Sequence, residues 1–370
     1  MEGRGFPRRM TPADPHAGIA PREPGARPPS RLRRLLTLLT LLYAAGLLLL
    51  LTLLEYWGEH LGVFSLLLYA PPPILLLPLA ILTPACLLLR PRLCLWHLAC
   101  IAILLFGYMT FGWHSPPAPR SGELKVMTFN TGQSDRRQFP GLVETERPDI
   151  IALQDARGRG IQWAKKHPGD YVKSLGEFVL ISRHPIRQSQ LLDQPRWHGR
   201  PVAARYEIDF HGRIVVLYSV HLPTPRPVLS RFLSGRAVIA LLGEDDDAGE
   251  TTGYRGWITE RIALARALAD VFAREPEPFI ACGDFNMPDH GIIHDTFASR
   301  FTDAFDATGR GWGLTFPGGK SSLVTRLGPW LRLDYFFTRG WHPIACAPES
   351  GHASQHRAVL ARFRGGEAGK

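Results

Sequence analysis

The sequence predicts an α/β domain carried behind a helical membrane anchor, and two features of the chain argue for it. Composition reverses twice: an arginine- and proline-rich start gives way at Leu35 to uncharged leucine runs, and these give way near Glu123 to ordinary soluble sequence. Beyond that point, short apolar runs stop at single polar residues, and one long stretch places its apolar residues at helical spacing. The first pattern reads as buried strands and the second as a helix packed on them.

Residues 1–34 hold eight arginines and almost no large apolar side chains, so they cannot bury enough surface to offset ordering entropy. They read as a disordered basic tail. Residues 35–54 carry no charge, and at about 1.5 Å per residue they cross a hydrocarbon core of roughly 30 Å. A cleaved signal peptide is disfavoured by the long basic lead and by an apolar run exceeding the usual 7–15 residues or so. A second apolar span, 61–89, is interrupted by Pro71, Pro72, Pro73, Pro78 and Pro84, which argues for a break near the interface before the main crossing. A third, 93–113, closes with Tyr108, Phe111 and Trp113, suited to an interfacial belt. His97, beside Trp96 near the start of that span, is expected to snorkel to the headgroups. Residues 35–113 therefore make about three crossings. The arginine-rich tail and the Arg90/Arg92 turn share one side, so everything after Trp113 falls on the opposite one.

The formal net charge is +10, half of it in the tail and half beyond the spans. A mildly basic soluble part suits phosphate-bearing substrates, but no basic stripe interleaved with aromatics singles out nucleic acid. Cys86, Cys94 and Cys100 fall in the apolar spans, and Cys282 and Cys346 lie beyond them without metal-ligand spacing. That spacing argues against zinc bound through cysteine, while pairing of Cys282 with Cys346 stays open.

Residues 114–122, with three prolines, read as a linker, 123–364 as one domain of ordinary size, and 365–370 as a tail. Strands are read at 124–129 ending in Asn130, at 149–153 running out into Gln154 and Asp155, and at 177–182. A hairpin of 202–209 and 213–220 turns at His211-Gly212 and ends in His221. Residues 224–256 form an irregular insertion whose acidic run, Glu244 to Asp247, is read as solvated. The helix is 257–272. After it comes Phe279-Ile280-Ala281-Cys282-Gly283-Asp284-Phe285-Asn286, a buried strand that halts at a carboxylate and a carboxamide. At i and i+2 of extended chain both would point the same way, an acceptor beside a donor, as water activation beside a phosphoryl oxygen requires. Strands at 331–337, carrying Asp334, and at 356–363, beginning with His356, complete the reading.

Asp and Asn at strand tips often mark plain turns, and a lone histidine is usually structural. Seven such residues together, Asn130, Asp155, His221, Asp284, Asn286, Asp334 and His356, are harder to dismiss. Read at strand tips, they are expected at a solvent-reaching rim where they add little to the core.

The segments Phe129-Asn130, Ala152-Leu153-Gln154-Asp155, Ile181-Ser182-Arg183-His184-Pro185-Ile186, Val220-His221-Leu222, Gly283-Asp284-Phe285-Asn286, Leu333-Asp334-Tyr335 and Gln355-His356-Arg357 follow one another in a familiar order. In this the chain resembles the endonuclease/exonuclease/phosphatase superfamily, and is most similar to its bacterial members with a few membrane spans before the catalytic domain. The resemblance implies a four-layered α/β sandwich, two mixed sheets flanked by helices. It implies that Asp155 and Asn130, with Gln355, hold Mg²⁺ or Mn²⁺, ions that favour hard oxygen ligands. Asp284 would orient or deprotonate the attacking water, and Asn286 would fix it or a phosphoryl oxygen. His356, steered by Asp334, would stabilise the developing charge, and His221 would contact the phosphate or protonate the leaving oxygen.

Two departures touch the metal: the family usually has Glu where Asp155 stands and Asp where Gln355 stands, so weaker affinity or a preference for Mn²⁺ is implied. The function implied is a divalent-metal-dependent phosphoesterase hydrolysing a phosphodiester or phosphomonoester, with nucleic acid, phospholipid and inositol phosphate as candidate substrates. It would be a multi-pass protein of the cell inner membrane with its catalytic domain outside the cytoplasm. The alternative is a catalytically degenerate, membrane-tethered binding module of the same fold. No protein partner is indicated. The topology is checked by a reporter fused after Lys370, expected to be active only outside the cytoplasm; a cytoplasmic signal means that one span does not cross.

Overall fold

A computed structural model describes residues 31–60, 62–132, 138–225, 254–318, 328–350 and 354–365. Most of the basic tail, the acidic run from Glu244 to Asp247 and the last five residues lie outside them.

Three apolar stretches, Arg31–Trp57, Pro72–Leu89 and Pro91–Tyr108, are long and apolar enough to cross a membrane. The first helix takes in Arg31, Arg33 and Arg34, which composition had assigned to the tail. The proline cluster divides the second segment: a short helix, Gly62–Tyr69, ends before Pro71, and Pro72 opens a new helical stretch. Proline fits a first turn, where its missing N–H has no partner to lose. His97 does not snorkel. It is buried between three helices, with Nε2 3.1 Å from Thr40 Oγ1 and Nδ1 2.9 Å from Thr83 Oγ1. Two hydroxyls on neighbouring helices satisfy the imidazole in place, as polar side chains do between membrane helices.

The rest of the chain is built on two mixed sheets of six strands each among the described residues. The first runs β4 (Tyr171–Leu175), β5 (Phe178–Ser182), β3 (Ile150–Gln154), β2 (Leu124–Asn130), β16 (Val359–Gly365), β15 (Trp341–Pro348). The second runs β6 (Ile186–Leu191), β9 (Ala203–Phe210), β10 (Arg213–His221), β11 (Phe279–Asp284), β14 (Asp334–Arg339), β12 (Thr302–Asp303). Two short pairs complete the strands: β7 (Arg196–Trp197) with β8 (Arg200–Pro201), and β1 (Gly112–Trp113) with β13 (Arg310–Gly311). The β9–β10 hairpin turns at His211 and Gly212, with φ of 53° and 82°, the left-handed pair of a type I′ turn.

Each face of these sheets is covered. Ile280 and Cys282 of β11 point into the core between the sheets, with Leu217, Phe336, Val126 and Phe363. Phe279 and Ala281 point the other way, onto Ile262, Ala265 and Leu268 of the helix Tyr254–Arg274. The helices Gln138–Glu146 and Arg159–Lys166 cover the first sheet through Phe139, Val143 and Trp163. Helix, sheet, sheet, helix: this is the four-layered sandwich. It explains why β11 reads as an unbroken apolar run rather than an alternating one. Cys282 and Cys346 share the inter-sheet core as free thiols, and burial pushes Cys282 up to about 12.

The apolar helices are docked on this body through polar contacts. Glu59 accepts from the backbone N–H groups of Ile292 (2.8 Å) and Ile293 (3.2 Å), capping the helix Ile292–Ala298 from outside. A Cβ at Gly291 would lie 2.5 Å from Glu59 Oε2, and φ there is 95°, so glycine is needed on both counts. The His290 ring stacks on Tyr108 at 4.0 Å; its Nδ1 is 2.7 Å from Glu55 Oε2, and Nε2 bonds the Tyr108 carbonyl. Trp312 Nε1 donates to Leu105 O at 2.7 Å.

With an acceptor at each ring nitrogen, His290 needs both protons. Burial pushes its pKa down, but Glu55, Asp289 and the Tyr108 carbonyl outweigh that and leave it raised. Its contribution is therefore complete below the ordinary value of 6.5 and is lost as pH rises through the higher folded-state value. Thermal unfolding of the detergent-solubilised protein should show a midpoint that declines from pH 6 to pH 9, with the decline flattened in His290→Gln. Equal slopes for the two proteins would sink the assignment.

Candidate active site

Strand register brings the polar strand ends together. In the parallel pair β10–β11 His221 stands opposite Asp284, and in the antiparallel pair β11–β14 Asp284 stands opposite Asp334. Three chemistry-bearing residues thus lie abreast on adjacent strands. Gly283 permits this: a Cβ there would fall 2.0 Å from the Val220 carbonyl oxygen, so any other residue would push β10 and β11 apart. On the first sheet Asn130 pairs with Gln154, which places Asp155 one residue beyond.

The groups converge on one carboxylate. Asp284 is 1% exposed, and its Oδ2 accepts from Asn130 Nδ2 at 2.8 Å, a bond that crosses from one sheet to the other. Asn286 Nδ2 donates to the same oxygen at 3.1 Å and to Leu222 O at 2.9 Å, while Asn286 N donates to Asp284 Oδ1 at 2.9 Å. His356 Nε2 and His221 Nε2 face Oδ2 at 3.6 and 3.7 Å, too long for direct hydrogen bonds.

Each imidazole is backed by a carboxylate. His356 Nδ1 donates to Asp334 Oδ2 at 2.9 Å, leaving Nε2 turned toward Asp284. Burial raises the Asp334 carboxyl, the His356 imidazole opposes that, and the Asp284 charge adds to it. His221 Nδ1 stands 3.3 Å from Glu177 Oε1, off the line of a hydrogen bond, and Arg200 lies 3.5 Å from the other Glu177 oxygen. Burial pushes Glu177 up, but His221, Arg200 and Arg157 together hold it below its ordinary value, so it stays charged. Sequence reading placed Glu177 only as the start of a strand. The signal available was a carboxylate after Gly176 at the head of a buried run.

Asn286 is not an extended i+2 partner of Asp284. The strand ends at Asp284, and Asn286 has φ 50°, so an Asx turn folds its side chain back onto the carboxylate. Nor do these residues form an exposed rim. Asn130, Asn286, Asp334 and His356 are all under 10% exposed, because the ends of both sheets and the turn after β11 close over one another.

The expected metal ligands are less compact. Asp155 is exposed with φ 50°. Its Oδ2 and Asn130 Oδ1 line the same side of Gly132, where a Cβ would meet them at 2.4 and 3.2 Å. Gln355 is half-buried beside His356, and its carbonyl accepts from Gly318 N. Among the described residues, Asp284, Asp334 and His356 bring ligand atoms within 4.8 Å of one another without Asp155. One further such group, His294, Asp303 and Asp306, contains carboxylates already joined to the buried Arg332 at 3.0 Å each.

Residues 127–356 match the profile of the Endonuclease/Exonuclease/phosphatase family. The chain belongs to that family. No curated protein matches it. Among solved structures, a humanized D. rerio TDP2 carrying 14 mutations is 17% identical, with a TM-score of 0.48 over 66% of this chain and all of that one. An endonuclease/exonuclease/phosphatase from Beutenbergia cavernae is 18% identical, with a TM-score of 0.45 over 66% of this chain and 72% of that one. The 3'-5' exonuclease NExo from Neisseria meningitidis is 16% identical, with a TM-score of 0.45 over 65% of this chain and all of that one.

Burial changes the expected cost of mutation. Asn286→Ala leaves the Leu222 carbonyl without its donor and puts alanine at positive φ, which together should cost about 2–4 kcal/mol. A thermal midpoint equal to wild type would show that the turn does not depend on this carboxamide.

Proposed function

We propose that the chain is a membrane-anchored, divalent-metal-dependent phosphoesterase. The observation that carries this reading is the convergence of two carboxamides and two carboxylate-backed imidazoles on the single buried carboxylate Asp284. Such a set aims one acceptor with two imidazoles close beside it, as attack of water on a phosphoryl group requires.

In this reading Asp284 orients the water and takes its proton, with the carboxylate aimed by Asn130 and by the Asn286 backbone N–H. The Asn286 carboxamide, its two hydrogens committed to Asp284 and Leu222, keeps the carboxylate turned toward the water. His356 donates from Nε2 to the oxygen that gains charge, with Asp334 fixing its tautomer. His221, with Glu177 beside its Nδ1, contacts the phosphate or gives its proton to the leaving oxygen.

Asp155 and Asn130 would hold Mg²⁺ or Mn²⁺, with Gln355 close by. The paired oxygens beside Gly132 and the all-oxygen donor set fit such an ion. When bound, it supplies positive charge that polarises the phosphoryl group and stabilises the leaving oxygen. The three apolar stretches and the arginine asymmetry support a multi-pass inner-membrane protein with this centre outside the cytoplasm. Phosphodiesters and phosphomonoesters of nucleic acid, phospholipid or inositol phosphate remain in the substrate class.

Asp284→Asn and His356→Ala should each lower turnover by a hundredfold or more, the order expected for losing a general base or a transition-state donor. Chelation should abolish activity, and Asp155→Glu or Gln355→Asp should lower the metal concentration needed to restore it. If wild type supplied with Mg²⁺ or Mn²⁺ hydrolyses no phosphoester and matches Asp284→Asn throughout, the enzyme reading fails.

A further inference from the structure

The catalytic turn is held from the side of the anchor. The Asn286 carbonyl accepts from Tyr69 Oη at 2.9 Å and from Arg261 Nη2, and Arg261 Nη1 donates to Tyr69 Oη at 2.8 Å. These three groups close a ring in which each contact supports the next. Arg261 is 1% exposed and lies under the Trp257 ring, its Cζ 5.4 Å from the centroid. Tyr69 is the last residue of the short helix Gly62–Tyr69, and Trp330 Nε1 bonds its carbonyl at 3.2 Å. That helix is also held at its middle, where Ser65 Oγ donates to Gly58 O at 2.9 Å, one residue past the end of the first apolar helix. Leu66 packs against the core beneath the Tyr254–Arg274 helix. A continuous arm thus runs from the anchor to the peptide that follows the catalytic strand.

Asn286 is where such support matters. Its left-handed φ of 50° is costly for a residue with a Cβ, and its side chain reaches both Asp284 and Leu222 only from that conformation. Rotation of the next peptide would carry the carboxamide away from the Asp284 carboxylate. Two donors on the carbonyl oppose that rotation.

We infer that Tyr69 and Arg261 are positioning residues for the Asn286 turn, so that the membrane anchor sets the geometry of the active centre rather than merely tethering it. The inference rests on the proposed role of Asn286 in hydrolysis, but its structural half stands independently of that role. In the full-length protein in detergent, Tyr69→Phe removes one hydroxyl. It should lower kcat about tenfold with KM little changed, the signature of an interaction that matters in the transition state. Amide hydrogen exchange over residues 285–288 should accelerate while the global unfolding midpoint stays near that of wild type. Arg261→Lys, which keeps the buried charge, should recover part of the activity lost in Arg261→Met, and it serves as the second variant if Tyr69→Phe does not fold. Wild-type exchange rates over 285–288 in both Tyr69→Phe and Arg261→Lys would overturn the inference whatever the activity. Wild-type kcat in Tyr69→Phe with faster exchange would equally overturn it, because the turn would then move without consequence. A wild type inactive on every phosphoester would count against the enzyme reading alone, and exchange would still decide the clamp.

Discussion

Burying the Asp284 carboxylate under donors from both sheets is the constraint on which the rest of the structure turns. An ionised carboxylate taken out of water costs several kcal/mol unless its oxygens are satisfied. Here Asn130 reaches across from the first sheet, Asn286 folds back from the turn, and two imidazoles face the remaining side. Asn130 and His356 come from the side of the first sheet, so they reach Asp284 only when the two sheets are in register at their ends. The site is therefore also a clasp between the sheets, and its chemistry and the packing of the sandwich share the same atoms.

Arg332 extends this logic toward the anchor. Its buried guanidinium bonds Asp303 and Asp306 at 3.0 Å each and also Asp289, and its Cζ lies 4.5 Å from the Tyr335 ring centroid. Removing the arginine would leave three carboxylates facing one another, so a buried cation here is a structural requirement. Tyr335 Oη also donates to Asp289 Oδ1 at 2.9 Å, and Thr110, just past the third apolar stretch, donates to Asp289 Oδ2 at 3.1 Å. Two residues along from Arg332 stands Asp334, which backs His356. Through Thr110 and Asp289, the chain just past the third apolar stretch and the arginine cluster thus belong to one connected polar network.

The short helix before Pro71 shows how far composition can mislead about a boundary. Its sequence, Gly-Val-Phe-Ser-Leu-Leu-Leu-Tyr, is as apolar as a membrane segment. At eight residues it cannot span, and its apolar side chains have a soluble core to join. The prolines that follow decide the matter, since they end one helix and start another.

Much of this was legible from residues alone. Runs such as residues 279–282 announce buried strands, because both faces of a central strand are covered. The polar residues that stop them name Asn130, His221 and Asp284 in turn, and Asp334 stands at the head of β14. Edge elements were not legible: β15 contains Pro343 and Pro348 and shifts register at Pro343, so its pattern is broken. The sequence by itself determined the apolar helices and the residue types gathered at the strand ends, which follow from composition and local order, and its motifs carried the resemblance to the family. Only the tertiary structure decided that Glu177 stands behind His221, that Asn286 meets Asp284 through a left-handed turn, that the site is buried, and that Tyr69 donates to the Asn286 carbonyl. Those facts depend on strand register and on contacts between residues as much as two hundred positions apart in the chain, and no local pattern encodes them.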